Sequence, residues 1–229
     1  NQSGAFSGFP SIAIKRLSAN TTAGFSIVTW TGTGSAGTIP HGLGVAPDFY
    51  VVKNRDDDST NWQAYHRSIA NDAETDYIYL NDTAGSDDSD DWNDTAPTAN
   101  VFSVKTHNQV NESGDDYLAY VFASIEGYSK FGSFAGNSAD DGTFVYLGFR
   151  PAYIWLKRHD SGGVDWSLYD SKREGYNVDN DNLRAFAVSA ATEQTDDDID
   201  FLSNGFKCRR NFANNQGSVL FFAWAEAPF

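Results

Sequence analysis

Aspartates occur in short runs along the sequence, and carboxylate oxygens are ligands that calcium prefers. The densest run comprises Asp87, Asp88, Asp90 and Asp91, inside a polar stretch at residues 82–98. Calcium takes about six to eight oxygen ligands that converge at about 2.3–2.6 Å. The run lacks the glycine and the closing glutamate of an EF-hand loop, so solvated loop charge is the alternative interpretation. These four aspartates are the candidate calcium site.

Trp92 stands alone as an aromatic residue in this polar stretch. Long loops without secondary structure are usually functional or disordered, and an indole combines an apolar body with a polar N–H, which suits it to interfaces. Trp92, with its neighbours Asp91 and Asn93, is therefore the predicted contact for a partner or a glycan. Trp62 and Trp166 recur at equivalent places in a repeat, and for them core packing is predicted instead.

The remaining chemistry-bearing residues form no catalytic signature. His41, His66, His107 and His159 share no short motif with each other or with a cysteine, so exposed loop positions are expected rather than zinc ligation. The sequence contains no Walker loop, nucleophile elbow or dinucleotide fingerprint. A glycosidase needs two carboxylates across a cleft, but among 31 acidic residues such a pair arises by chance. We expect no enzymatic activity.

The composition further narrows the possible classes of function and partner. The formal net charge is −15, and the acidic residues are mostly Asp, which favours turns and loops. Binding to a nucleic-acid backbone needs a basic surface, so nucleic acid is not an expected partner. Cys208 is the single cysteine, which excludes an intrachain disulfide. No apolar run approaches the length of a membrane span. The start at Asn1 and the lack of Met suggest a processed product or an excerpt of a longer polypeptide.

One stretch of the sequence occurs twice. Residues 43–65 read LGVAPDFYVVKNRDDDSTNWQAY, and residues 147–169 read LGFRPAYIWLKRHDSGGVDWSLY. An internal repeat of this kind indicates a repeated architecture. We predict an N-terminal arm or linker strand at 1–23, a first repeat at 24–127 and a second at 128–229. At an offset of 104 residues, the identical pairs are Leu43/Leu147, Gly44/Gly148, Pro47/Pro151, Lys53/Lys157, Trp62/Trp166 and Tyr65/Tyr169.

The residue pattern between these landmarks favours strands. Phe25, Ile27 and Thr29 lie on one face of an extended segment, and Val28 and Trp30 lie on the other. Similar short segments recur between Gly, Asn and Asp turns, and no stretch shows a sustained apolar stripe of helical period. The prediction is an all-β chain of two tandem antiparallel β-sandwich repeats, of jelly-roll or lectin-like form.

Several strings of the sequence carry a resemblance to a known family. They resemble a repeat family found towards the C-terminal ends of virion proteins of tailed bacteriophages, especially marine and cyanobacterial ones, over residues 23–229. The strings of the first repeat are GFSIVTWTGTG, HGLGVAPDFYVVKNR, NWQAYHRSI, WNDTAPTANVFSV and YVFASIEGYSKFGS; those of the second are GTFVYLGFRPAYIWLKR, WSLYDSKR and DFLSNGFKCRRNFANNQGS.

The resemblance implies a non-enzymatic structural protein on the virion surface. Its expected place is a tail fibre or related appendage, with a role in assembly and host attachment. The expected partners are copies of the chain itself (a homo-oligomer, trimeric if it belongs to a fibre), other virion proteins, and a host surface glycan or receptor. A capsid decoration protein and a carbohydrate-binding, lectin-like module are the alternatives. No cofactor is expected apart from calcium.

Overall fold

The fold is all-β and its sheets are antiparallel, as predicted. The computed structural model describes residues 10–172, 181–185 and 194–226. The predicted arm at residues 1–23 therefore lies outside the described residues up to position 9. No helix in these described ranges is long and apolar enough to cross a membrane.

The chain divides into two compact units. The first unit comprises Asn1–Leu80 and Asp87–Ala123, and the second comprises Asn81–Ser86 and Ser124–Phe229. The first unit contains a short 3-10 helix, Ala73–Thr75, and these strands: β1 Ile14–Asn20, β2 Phe25–Thr31, β3 Gly37–Pro40, β4 Phe49–Asn54, β5 Gln63–His66, β6 Asp76–Tyr79, β7 Asp87–Asp88, β8 Val101–Val104 and β9 Asp116–Phe122.

The second unit is built from the remaining strands. It also contains a short 3-10 helix, Ala213–Asn215. Its strands are β10 Ser129–Asn137, β11 Phe144–Tyr146, β12 Pro151–Arg158, β13 Trp166–Asp170, β14 Asp181–Ala185, β15 Gln194–Thr195, β16 Ile199–Leu202, β17 Gly205–Cys208 and β18 Gln216–Ala225.

The large sheets of the two units have the same order of neighbours. The first runs β1-β2-β9-β4-β5-β6-β7, and the second runs β10-β18-β12-β13-β14-β15. If β2 is matched with β10, each following strand of one sheet has a counterpart in the other. The hairpins also share a register, because Tyr50 faces Tyr65 in β4–β5 and Ile154 faces Tyr169 in β12–β13. Two copies of one unit would have this arrangement, and the repeat itself stays a prediction.

Alternation along the strands explains how the first unit forms its core. Val28 and Trp30 of β2 are fully buried, as expected for the inward face of a strand. Phe102 of the small β3–β8 sheet meets both Trp30, with ring centroids 6.0 Å apart, and Tyr50, at 4.7 Å. Aromatic side chains from the large and small sheets therefore close a two-layer sandwich.

The second unit has a corresponding two-layer core. Phe206 of the small sheet β11-β17-β16 lies 5.9 Å from Phe134 and 6.1 Å from Phe221, which belong to the large sheet. Phe102 and Phe206 thus have the same role at an offset of 104 residues. Trp166 is fully buried, in agreement with the core prediction. Trp62 is only partly buried and stacks on Tyr120 at 6.3 Å, so its predicted core role is wrong.

Candidate functional site

The four predicted calcium ligands do not converge. Asp87 and Asp88 form the exposed strand β7, in which consecutive side chains point to opposite faces. Asp90 pairs with Lys105 at the surface. Asp91 is 2% exposed and turns inward. Within the described residues, no group of three or more His, Cys, Asp or Glu side chains is placed to hold a metal ion.

Asp91 is instead part of a buried polar contact of the first unit. One carboxylate oxygen accepts a hydrogen bond from Nε2 of Gln63, a residue of the central hairpin. The other lies 3.5 Å from Nδ1 of His107, and the Asp91 backbone carbonyl accepts from the N–H of Lys105 at 2.8 Å. A partner cannot reach this carboxylate without opening the loop. The predicted contact role of Asp91 is therefore not supported by its placement.

Trp92 lies in the core and not on the loop surface. Its side chain is fully buried, and its Nε1–H donates to the carbonyl of Asp76 at 2.9 Å. The ring meets Tyr50 at 4.9 Å and Tyr65 at 6.3 Å, edge to face in both contacts. The prediction that Trp92 contacts a partner or a glycan is wrong, because the ring is buried and the neighbouring strands supply both its ring contacts and its hydrogen-bond acceptor.

Asn93 is the exposed member of the predicted contact group. Its φ is 55° and that of Asp94 is 44°, so both occupy the left-handed region, which Asn and Asp tolerate better than other non-glycine residues. The N–H of Asn93 donates to the carbonyl of Asp90 at 2.8 Å. Asn93 thus closes a turn over residues 90–93, which includes Trp92. Asp91, Trp92 and Asn93 do not share one accessible face.

The histidines were expected in exposed loops, and for three of them this is wrong. His41 and His66 are fully buried and His159 is 8% exposed, whereas the side chain of His107 is 54% exposed. Nδ1 of His41 accepts from the N–H of Leu43 at 3.3 Å, so Nε2 carries the proton that is donated to the carbonyl of Thr98 at 3.1 Å. Burial lowers the pKa of His41 and favours this neutral form.

Two lysines at equivalent positions hold the two hairpin loops. Lys53 Nζ donates to the carbonyl of Thr60 at 2.5 Å and to its Oγ1 at 2.9 Å. Lys157 Nζ donates to the carbonyl of Val164, which stands at the position of Thr60 when the offset of 104 is applied. Each lysine therefore binds the returning end of its own loop. The identity of Lys53 and Lys157 has a structural cause in these bonds.

The beginning of the acidic stretch belongs to the second unit. Within this unit, Thr83 accepts hydrogen bonds at its carbonyl from Lys157 Nζ at 3.1 Å and from the N–H of Gly163 at 2.9 Å. The N–H of Ser86 donates to the carbonyl of His159 at 2.7 Å. Gly85 permits this approach, because a Cβ there would lie 2.6 Å from the same carbonyl. Residues 81–86 are thus tied to the second hairpin by backbone bonds.

Lys157 predicts a pH dependence of stability. Burial lowers its pKa from 10.5 to about 8. Between those values the unfolded chain binds more protons than the folded chain, so this group makes stability rise as the pH increases from about 8 to about 10.5. Urea unfolding at pH 7 and pH 9.5 checks this: the wild type should gain stability relative to Lys157→Met. Parallel behaviour of the two proteins would contradict the assignment.

Two buried asparagines were missed in the sequence, although they obey the same offset of 104. Asn111 and Asn215 are both fully buried. Asn111 Nδ2 donates to the carbonyls of Ser35 and Lys105, each at 2.7 Å, and its Oδ1 accepts from the N–H of Thr33 at 3.0 Å. The side chain replaces backbone partners for three groups in two separate loops. The repeated spacing was the signal that would have revealed it.

Asn215 performs the same task in the second unit. Its Nδ2 donates to the carbonyls of Ala139 at 3.0 Å and Arg210 at 2.9 Å. Among the residues that the structure describes, its Oδ1 has no hydrogen-bond partner, unlike that of Asn111. Each unit therefore uses one buried asparagine to connect two loops. In the first unit these loops precede β3 and β9, and in the second they precede β11 and β18. We name Asn111 and Asn215 the loop clamps.

Comparison with known proteins places this architecture in a family. The sequence matches the family described as Domain of unknown function (DUF7483) over residues 7–228. The chain belongs to the DUF7483 family. Neither a curated protein nor a solved structure matches the sequence. The DUF7483 match spans both units and includes the positions of both loop clamps.

Proposed function

We propose that this DUF7483 chain is a non-enzymatic structural module of a tailed-phage virion. Its place is an exposed appendage such as a tail fibre, where it serves assembly and host attachment. The resemblance of the two repeats to virion proteins supports this assignment. The observation that carries the assignment is the pair of loop clamps, Asn111 and Asn215. Their buried side-chain amides hold loops in place, which is a structural role and not a catalytic one.

Rigid loops on a rigid sandwich suit an attachment module. A surface that binds without ordering its own loops avoids an entropy cost on association. The loop clamps and the hairpin lysines Lys53 and Lys157 order the connections of each unit through backbone carbonyls. Recognition then falls to exposed side chains of ordered loops, such as Asn93 and its neighbour Asp94.

The charge of the chain supports an exposed position in the particle. A net charge of −15 favours solubility and opposes contact with packaged nucleic acid, since both carry negative charge. The proposed partners are copies of the same chain, other virion proteins and a host surface receptor. A glycan site centred on Trp92 is not proposed, because that ring is buried.

Labelling of intact particles tests this assignment. Gold-labelled antibodies against the purified chain should decorate the tail appendages of virions whose genome encodes it. Antibodies against a cytoplasmic host protein are the matched control for background. Label on the head instead of the appendages would assign the chain as a capsid decoration protein. Particles that carry no label while the infected cells contain the chain would contradict a virion role.

A further inference from the structure

The small sheets of the two units have equivalent edge strands. β3 pairs with β8 so that Ile39 faces Phe102, and β11 pairs with β17 so that Val145 faces Phe206. Because Phe102 and Phe206 are equivalent in the two cores, β3 and β11 are equivalent as well. In this alignment Thr38 corresponds to Phe144, and Pro40 corresponds to Tyr146.

The edge of the first unit is closed by the chain itself. The N–H groups of Ser11 and Ile12 donate to the carbonyl of Thr38 at 3.1 and 3.2 Å, and the N–H of Thr38 donates to Ser11 Oγ at 2.9 Å. Ile12 is 5% exposed and sits against Gly37, where a Cβ would lie 2.7 Å from it. Pro40 has no N–H to offer. These are the devices by which proteins protect an edge strand.

The equivalent edge of the second unit is open. Phe144 is 44% exposed and Tyr146 is 60% exposed. The N–H of Cys208 donates to the carbonyl of Thr143 at 3.0 Å, and that of Leu147 donates to the carbonyl of Asn204 at 2.9 Å. By the alternation of an antiparallel ladder, the backbone groups of Phe144 and Tyr146 point away from β17.

No strand of the described residues pairs with this side of β11, which is the edge of its sheet. Lys130 reaches it with its side chain: Nζ donates to the carbonyl of Tyr146 at 2.8 Å and lies 5.6 Å from the centroid of its ring. In the described residues, the N–H groups of Phe144 and Tyr146 and the carbonyl of Phe144 have no strand partner, and they lie next to two large rings. The Tyr146 carbonyl accepts from Lys130 and keeps a second lone pair. An exposed edge of this composition is a template for pairing with another strand.

We propose that β11 pairs in antiparallel fashion with β11 of a second copy of this chain. Phe144 of one copy then faces Tyr146 of the other, and the two-fold axis repeats the same pair. The outward N–H and C=O groups of each facing pair exchange hydrogen bonds, and the exposed rings form cross-strand aromatic pairs. The inference rests on the proposed function, which counts copies of this chain among the partners, and deepens it by assigning the strand through which two copies pair.

Self-complementarity and local charge favour a second copy of this chain as the partner of the open β11 edge. Phe144 and Tyr146 are both aromatic and lie two residues apart. A two-fold axis through Val145 therefore places Phe144 of each copy opposite Tyr146 of the other. Two acidic chains repel each other over most of their surface. Around β11 this repulsion is reduced by the positive charge of Lys130, which lies on Tyr146. Lys207, opposite Phe144 in the ladder, pairs with Asp141, and these two charges offset each other. A three-residue edge buries little area, so the dimer is weak.

Sedimentation velocity over a range of concentrations tests the pairing. The wild type should shift from monomer to dimer at about 10–100 µM. Tyr146→Pro copies Pro40 of the first unit and should stay monomeric throughout that range. Val45→Thr is the matched control, since Val45 is a 51% exposed apolar residue of the first unit, and should dimerise like the wild type. A monomeric wild type, or a Tyr146→Pro protein that dimerises normally, would overturn the proposal.

Disulfide trapping tests the register and does not require the proline variant to fold. Phe144→Cys and Tyr146→Cys chains should cross-link when mixed, because facing residues of a hydrogen-bonded pair have Cα atoms about 5.5 Å apart. Either chain alone should cross-link much less, since identical positions are diagonal neighbours at about 7–8 Å. Burial raises the pKa of Cys208 to about 12, which keeps that thiol unreactive. Equal cross-linking of single and mixed chains would overturn the register.

Discussion

Replacing Trp92 by alanine should lower the free energy of unfolding by about 3–5 kcal/mol, the range for a large aromatic side chain lost from a core. The indole is fully buried, contacts Tyr50 at 4.9 Å and donates to the carbonyl of Asp76. Its removal leaves both a cavity and an unpaired acceptor. Chemical denaturation followed by circular dichroism gives the measurement.

Two further variants separate the parts of this effect. Trp92→Phe keeps a ring in the core but has no donor for Asp76, so a smaller loss of about 1–3 kcal/mol is expected. Trp62→Ala removes a tryptophan that is only partly buried, and its loss should also be smaller than that of Trp92→Ala. If Trp92→Ala costs no more than Trp62→Ala, the buried placement of Trp92 is contradicted.

Asn111→Asp should be about as damaging, although the two side chains have the same shape. The asparagine Nδ2 faces the carbonyls of Ser35 and Lys105, and a carboxylate would place an oxygen against both. A buried charge without a partner typically costs about 3–5 kcal/mol. We expect a loss of that order at pH 7, measured by the same denaturation experiment.

A matched control and a pH series test the cause of this loss. Asn93→Asp adds the same charge at an exposed turn position that aspartate tolerates, so its unfolding free energy should change little. Burial raises the pKa of the carboxyl introduced at position 111, so the folded chain would bind more protons than the unfolded chain. The defect of Asn111→Asp should therefore shrink as the pH falls. A defect that is constant between pH 7 and pH 4.5 would point to lost packing instead.

Local patterns were sufficient for the strands and the hairpins. The alternation of Phe25, Ile27 and Thr29 with Val28 and Trp30 predicted a strand, and the structure has β2 there. Strand formation and turn formation depend on neighbouring residues, so the sequence carries them directly. The two copies of the hairpin stretch show the same register in the structure for the same reason.

The candidate site could not be predicted in this way. Asp91 meets Gln63 across 28 residues of sequence, and Lys157 meets Thr83 across 74. Polar residues in a loop look exposed when they are read in order, because nothing local shows which strand will cover them. Trp92, His41 and His66 were misplaced for this reason, and the calcium hypothesis failed with them.

By itself, the sequence determined an acidic, all-β chain with a repeated hairpin, since composition, turn chemistry and period-two alternation are local properties. The tertiary structure alone decided which polar groups are buried, and that residues 81–86 belong to the second unit. It also decided that the edge at Thr38 is covered while the edge at Phe144 is open. These outcomes depend on backbone groups that meet only after distant segments have packed, and burial sets the energy of each such contact.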